Sequence, residues 1–347
     1  MNQVFIPPDP LPEILRLPKC NLHTHLEGSV RPATFIELAQ RQGLPLPGKA
    51  DEVEDMLKVD GNEKSLADYL AKIAVNYPIL KNPATLRRVA YEAAEDAFRD
   101  GVLYLELRFG PVTHVSTQVT LQACIESVLD GLHEAELKYG IICRLIVAAL
   151  RHHDPTTNLV LARVAATYRD YGVVGFDLAG DEAAYPASLH QQALLEAREK
   201  GLGLTIHAGE ASGALEVAYA IEVLGAQRIG HGVRSIESER VLQLLYERQI
   251  LLEICPTSNL HTRIISALKQ HPVRLLYEHK IPISINDDDP VTSRTCVSKE
   301  LTLLHTYFGF SFAEIKQLQL VALDHSFLKD GAIRDHIRSQ IMAYSFL

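Results

Sequence analysis

The feature that most constrains this chain is an eightfold alternation. Short runs rich in Val, Ile and Leu lie at 20–25, 102–109, 142–150, 173–178, 202–207, 228–231, 250–255 and 281–286. They are near-continuously apolar, as strands are when a parallel sheet is covered on both faces. Between them, segments such as 120–139, 158–171, 189–200, 214–224 and 238–248 read as helices. Gly101, Gly140, Gly172 and Gly201 stand just before the following run, where a helix end is expected to exit through a left-handed residue. Eight such units predict a closed (β/α)8 TIM barrel. An open doubly wound sheet is the alternative, but no glycine-rich dinucleotide fingerprint follows the first run.

The 347 residues exceed the ~250 of a minimal barrel. The surplus falls in two places. Residues 32–100 are expected to form a helical insertion after strand one, and the stretch from 299 onward to add C-terminal helices. An insertion after a barrel strand lies on the C-terminal face, where it forms a natural lid. No repeat, low-complexity tract or linker divides the chain, so a single domain over 1–347 is expected.

Composition narrows the partners. The net charge of −9 opposes phosphate backbones, so nucleic acid is not expected. No apolar run approaches the ~18 residues of a membrane span, and none is expected. The first dozen residues lack the basic and apolar regions of a signal peptide. Five scattered cysteines (Cys20, Cys124, Cys143, Cys255, Cys296), never in CxxC spacing, argue against a disulfide framework and a thiolate zinc site. They fit a reducing cytoplasm, and the acidic charge does not exclude a small neutral partner. The oligomeric state is not legible.

Chemistry-bearing residues crowd the C-terminal ends of the runs. Run one ends in His23-Thr24-His25, and alternate strand residues face the same way, so both imidazoles point into the barrel. Run four leads into Asp177, Gly180, Asp181 and Glu182, run five into His207 and Glu210, run six into Gly230-His231-Gly232, and run eight into Asp287-Asp288-Asp289. His23, His25, His207 and one Asp of the last group supply three nitrogens and an oxygen, a donor set that suits catalytic zinc. Three adjacent carboxylates repel one another unless a cation offsets them. The glycines flanking His231 point to close approach of a ligand. Glu210 also suits the start of the helix expected near Ser212.

These residues resemble the adenosine deaminase family of the amidohydrolase superfamily. The matching segments are 18–29, 175–182, 207–210, 228–232, 255–259 and 286–290, in family order along nearly the whole chain. The resemblance implies one zinc ion held by His23, His25, His207 and Asp288. It implies that His231 and Asp288 orient and deprotonate a water, and that a protonated Glu210 donates to N1 of a 6-aminopurine. It places His25, Glu27, Gly180 and Asp289 against the substrate, with Asp289 at N7 and Gly180 at N3, and it makes 66–70 an apolar lid.

Two positions depart from the family pattern. Glu27 stands where adenosine deaminases usually carry Asp against the ribose 5′-hydroxyl, and Asp287 where Thr or Ser is usual. The implied substrate is adenosine or 2′-deoxyadenosine. The alternatives are a 5′-modified nucleoside such as 6-aminodeoxyfutalosine, and free adenine. A two-metal phosphoesterase or amidase would need a Lys near the end of strand four, where 177–182 has none. A non-catalytic metal-binding relative would be free to lose Glu210 or His231, and both are present. The cysteine-ligated PCxxC deaminase site is absent.

Overall fold

The computed structural model describes residues 4–46 and 48–346; residues 1–3, 47 and 347 of the expected domain lie outside the described residues. Eight parallel strands follow one another in chain order: β1 (Lys19–His25), β2 (Val102–Phe109), β3 (Ile142–Leu150), β4 (Val173–Ala179), β5 (Gly203–Ala208), β6 (Arg228–His231), β7 (Leu251–Ile254) and β8 (Ile283–Ile285). The ring closes where the segment after β8 meets β1. Asp288 N–H donates to His23 O at 3.0 Å, and His25 N–H to Asp288 O at 2.7 Å. The eight expected strands are all present, and the fold is the expected (β/α)8 barrel.

Gly101, Gly140, Gly172 and Gly201 all take positive φ, as expected before a strand. The segment 158–171 differs from expectation. Its helix is Pro155–Thr167 and begins earlier, because Asp154 caps the N–H groups of Thr156 and Thr157 and Pro155 suits the first turn. The helix after Glu210 starts at Ala214, two residues beyond Ser212.

Among the described residues, four α-helices lie between β1 and β2: Pro32–Arg41, Ala50–Leu57, Leu66–Ala74 and Pro83–Arg99. After β8 come Val297–Phe308, Phe312–Asp324 and Gly331–Ala343. This C-terminal part covers the far end of the barrel. Phe327 N–H donates to Glu106 at 2.7 Å, and the Arg228 guanidinium stacks 3.7 Å above the Phe327 ring.

The barrel interior is unusually charged. Arg108 donates to Asp177 at 2.9 Å and to Glu253 at 2.7 Å. Arg228 donates to Glu253 at 2.7 Å and to Glu106 at 2.6 Å. All five side chains are buried, and each of the three carboxylates is paired with one or both of the two guanidinium groups.

Candidate metal and catalytic site

This buried network rises directly into the expected ligands. Glu253 accepts from His23 Nδ1 at 2.8 Å, and Asp177 from His207 Nδ1 at 3.0–3.1 Å. Each carboxylate thereby fixes its imidazole with Nε2 free, as a carboxylate behind a metal-binding histidine does. Burial works against the charge of Asp177 and Glu253. His207 and Arg108 nonetheless hold the first low, and Arg108 and Arg228 the second.

The free Nε2 atoms converge. His23 and His25 Nε2 are 3.3 Å apart, and Asp288 Oδ1 lies 3.2 Å from the first and 3.4 Å from the second. Ligand atoms of His23, His25, His207 and Asp288 all lie within 4.8 Å of one another. A tetrahedral ion with bonds of about 2.0–2.1 Å spans ligand edges of about 3.3–3.4 Å. Crowded imidazole lone pairs beside a buried carboxylate fit a divalent cation, and the all-N/O donor set suits zinc.

Backbone conformation places two of these groups. His231 (φ 59°) and Asp288 (φ 60°) both adopt the left-handed region that non-glycine residues seldom take. His231 Nε2 then sits 3.8 Å from Glu210 Oε2 and 3.9 Å from Asp288 Oδ2. Both distances are too long for a direct hydrogen bond.

Glu210 is set by a residue that was visible in the sequence without an assigned role. Glu182 accepts from the backbone N–H groups of Gly209 (2.8 Å), Glu210 (3.0 Å) and Ser212 (2.9 Å), which fixes the loop after β5. Burial, with Asp288 and Glu182 nearby, pushes the Glu210 carboxyl well above its ordinary range, which favours its protonated form.

The three adjacent aspartates part company. Asp288 joins the histidines. Asp287 turns away, accepts from Asn21 Nδ2 at 2.8 Å and faces a separate small cavity beside Thr24 and Cys296; burial pushes it up to about 7. Asp289 accepts from the Tyr69 hydroxyl at 3.1 Å through Oδ2, while its buried Oδ1 has no partner. Gly28 makes room for it, since a Cβ there would lie 1.9 Å from Asp289 Oδ1.

One cavity of about 310 Å³ gathers the site. His25, Glu27, Gly180, His207, Glu210, His231, Asp288 and Asp289 line it, so the expected substrate contacts and the metal nest share one space. His23 lies behind, fully buried. The helix Leu66–Ala74 roofs it with Leu66, Leu70 and Ile73, where the apolar lid was expected. Glu27 is more engaged than sequence reading foresaw. Its Oε1 accepts from Gly110 N–H and from His114 Nε2, both at 2.9 Å. Sequence reading assigned no role to Arg108, Arg228, Glu253 or His114. The signal was a charge inside a mostly apolar strand run for Arg108 and Glu253, and a charge opening one for Arg228.

The sequence profile of the adenosine deaminase family matches residues 18–344. An adenosine deaminase from Clostridium perfringens (strain SM101) is 36% identical over 318 residues, covering 91% of this chain and 96% of the relative. Among solved structures, the adenine deaminase of Arthrobacter aurescens superposes with a TM-score of 0.87 at 28% identity, covering 94% of this chain and 98% of that one. An amidohydrolase from Burkholderia ambifaria with bound Zn superposes with a TM-score of 0.85 at 26% identity, covering 98% of both. The chain belongs to the adenosine deaminase family of the amidohydrolase superfamily, and is a hydrolase acting on C–N bonds.

Proposed function

We propose that this protein hydrolyses the 6-amino group of adenosine or 2′-deoxyadenosine, giving inosine or 2′-deoxyinosine and ammonia, with one zinc ion at His23, His25, His207 and Asp288. The observation that carries the reading is a buried Glu210 carboxyl, its pKa pushed up by burial, beside that four-ligand nest in one roofed cavity. Zinc in such a nest supplies acidification of a water, which makes a nucleophile available near neutral pH. The zinc-containing Burkholderia neighbour supports the choice of metal.

The residues divide the work as follows. Asp289, unpartnered and buried at Oδ1 and pushed up by burial, donates from Oδ1 as the protonated acid to purine N7, and the Gly180 backbone meets the N3 edge. Glu210 gives its proton to N1, which leaves C6 electron-poor. The water oxygen adds to C6 and sheds one proton to the His231–Asp288 side. That proton passes to the amino nitrogen as the C6–N bond breaks and ammonia leaves. The remaining hydroxyl proton returns to Glu210 as the C6 carbonyl forms. The lid Leu66, Leu70 and Ile73 excludes bulk water, which strengthens each of these contacts.

Charge selects among substrates. The cavity is lined by Glu27, Asp181, Glu210, Asp288 and Asp289, and no Lys or Arg lines it among the described residues. A 5′-phosphate finds no cation there, so AMP and N6-methyl-AMP are expected to be poor substrates. A volume of about 310 Å³ lies at the small end of ligand pockets and suits a nucleoside better than a 5′-aryl extension such as 6-aminodeoxyfutalosine. A second reading, free adenine, draws support from Glu27 in place of Asp and from the Arthrobacter neighbour.

A panel of adenosine, 2′-deoxyadenosine, adenine, AMP, 6-aminodeoxyfutalosine and N6-methyl-AMP, assayed by ammonia release from zinc-loaded protein, separates these readings. The nucleosides are expected to lead in kcat/KM, and turnover of none would overturn the proposal. Glu27→Asp is expected to lower kcat/KM for adenosine about 10–100-fold, mainly through KM, as one charge-assisted hydrogen bond is lost. An unchanged substrate profile would show that Glu27 does not read the sugar.

A further inference from the structure

A chain of hydrogen bonds runs from the helix Val273–Glu278 to the back of His231. The backbone N–H of Val273 donates to His271 Nδ1 at 3.1 Å. A backbone nitrogen only donates, so His271 Nδ1 is a bare acceptor. Val273 opens its helix, which leaves its N–H free for this bond. The buried His271 ring is pushed down to about 3 and stays neutral, so its single proton sits on Nε2.

That Nε2 lies 3.1 Å from Asn259 Oδ1, which accepts from it. The orientation of the Asn259 amide is thereby decided by its neighbour. Its Nδ2 faces His231 Nδ1 at 3.0 Å and donates to it. His231 Nδ1 is an acceptor, and the proton of the neutral ring is on Nε2. That proton points toward the gap between Glu210 Oε2 and Asp288 Oδ2.

We infer that Asn259 and His271 are positioning residues that hold His231 as the Nε2–H tautomer, making His231 a hydrogen-bond donor to the attacking oxygen and leaving Asp288 as the group that takes the water proton. This rests on the deaminase reading above. For His231 to accept a proton at Nε2, its own proton must first move to Nδ1, opposite the Asn259 NH2. Flipping that amide would set its NH2 against His271 Nε2–H. Moving the His271 proton to Nδ1 would set it against Val273 N–H. Each escape leaves two buried donors face to face, and the backbone at the end of the relay cannot adapt. The proton balance is unchanged. The water oxygen bonds to C6 while its proton goes to Asp288, and Asp288 later gives it to the departing nitrogen.

The direct test is 15N NMR of the zinc-loaded full chain labelled at its 15 histidines, with the His231 signals identified by their loss in His231→Gln. The expected result is one-bond coupling to hydrogen at His231 Nε2 and an unprotonated Nδ1. Coupling at Nδ1 would overturn the inference. Asn259→Asp supplies the kinetic arm, because a carboxylate in place of the NH2 draws the proton to Nδ1. With zinc content unchanged, kcat is expected to fall about 10²-fold or more with little change in KM, as when a catalytic histidine is held in the wrong tautomer. A general-base His231 would instead be strengthened by that carboxylate, so wild-type or faster turnover refutes the inference. If the wild-type protein deaminates no 6-aminopurine, the functional reading fails while the tautomer measurement still stands by itself.

Discussion

Glu210→Gln is expected to lower kcat by about 10²–10⁴-fold while leaving zinc content and folding intact. The substitution keeps the shape of the side chain and a hydrogen-bond donor for N1, but removes the transferable proton. Burial and the nearby Asp288 and Glu182 push the Glu210 carboxyl well above its ordinary range, and Glu182 anchors the loop through three backbone N–H groups. Glu210 is outside the four-ligand nest, so metal content is not expected to change. The pH dependence carries a sign. A group whose pKa is raised is active below that value, so activity falls as the pH climbs through it. That alkaline limb belongs to Glu210 and is expected to vanish in the Gln variant. Steady-state kinetics with metal analysis checks both parts; near-wild-type turnover would remove Glu210 from its assigned role.

Glu253→Gln is expected to have the largest effect on stability, about 3–5 kcal/mol, together with a 10–100-fold loss of zinc affinity. One oxygen of Glu253 accepts from His23 and Arg108, the other from Arg228 and Thr205. An amide cannot accept on both sides, so its NH2 must face either His23 and Arg108 or Arg228 and Thr205. A buried guanidinium then faces an amide donor and keeps only one of its two carboxylate partners, Asp177 for Arg108 or Glu106 for Arg228. In one of the two orientations His23 also loses the group that directs its Nε2. Urea unfolding measures the first effect and competition with a zinc chelator the second. A change below about 1 kcal/mol with unaltered affinity would mean that the network under the site does not support it.

The sequence made the barrel and the polar ends of its strands legible because both follow from short periods: apolar runs, glycine exits and alternate residues such as His23 and His25. Partners across the barrel leave no such trace. Arg108 meets Glu253 at a separation of 145 residues, and nothing local to either joins them. The parity of a charge within its strand was the available clue, since Glu106 and Arg108 share one face of β2. Asp287, Asp288 and Asp289 are chemically alike in sequence and diverge only because alternation and a left-handed φ at Asp288 aim each differently. Glu27 was legible as a site residue, but its bond to His114 depends on a short 3₁₀ turn (Pro111–His114) after β2. Asn259 belonged to a recognisable segment, yet the tautomer it sets depends on His271, whose role only the folded chain reveals.

The central claim is hydrolytic removal of the 6-amino group from a purine nucleoside. It is tested most directly by incubating zinc-loaded protein with adenosine in water enriched in oxygen-18, with inosine and ammonia measured together. The account predicts one ammonia per inosine and, at C6, a fraction of heavy oxygen equal to that of the water. Intact adenosine, or inosine whose C6 oxygen carries no label, would contradict it.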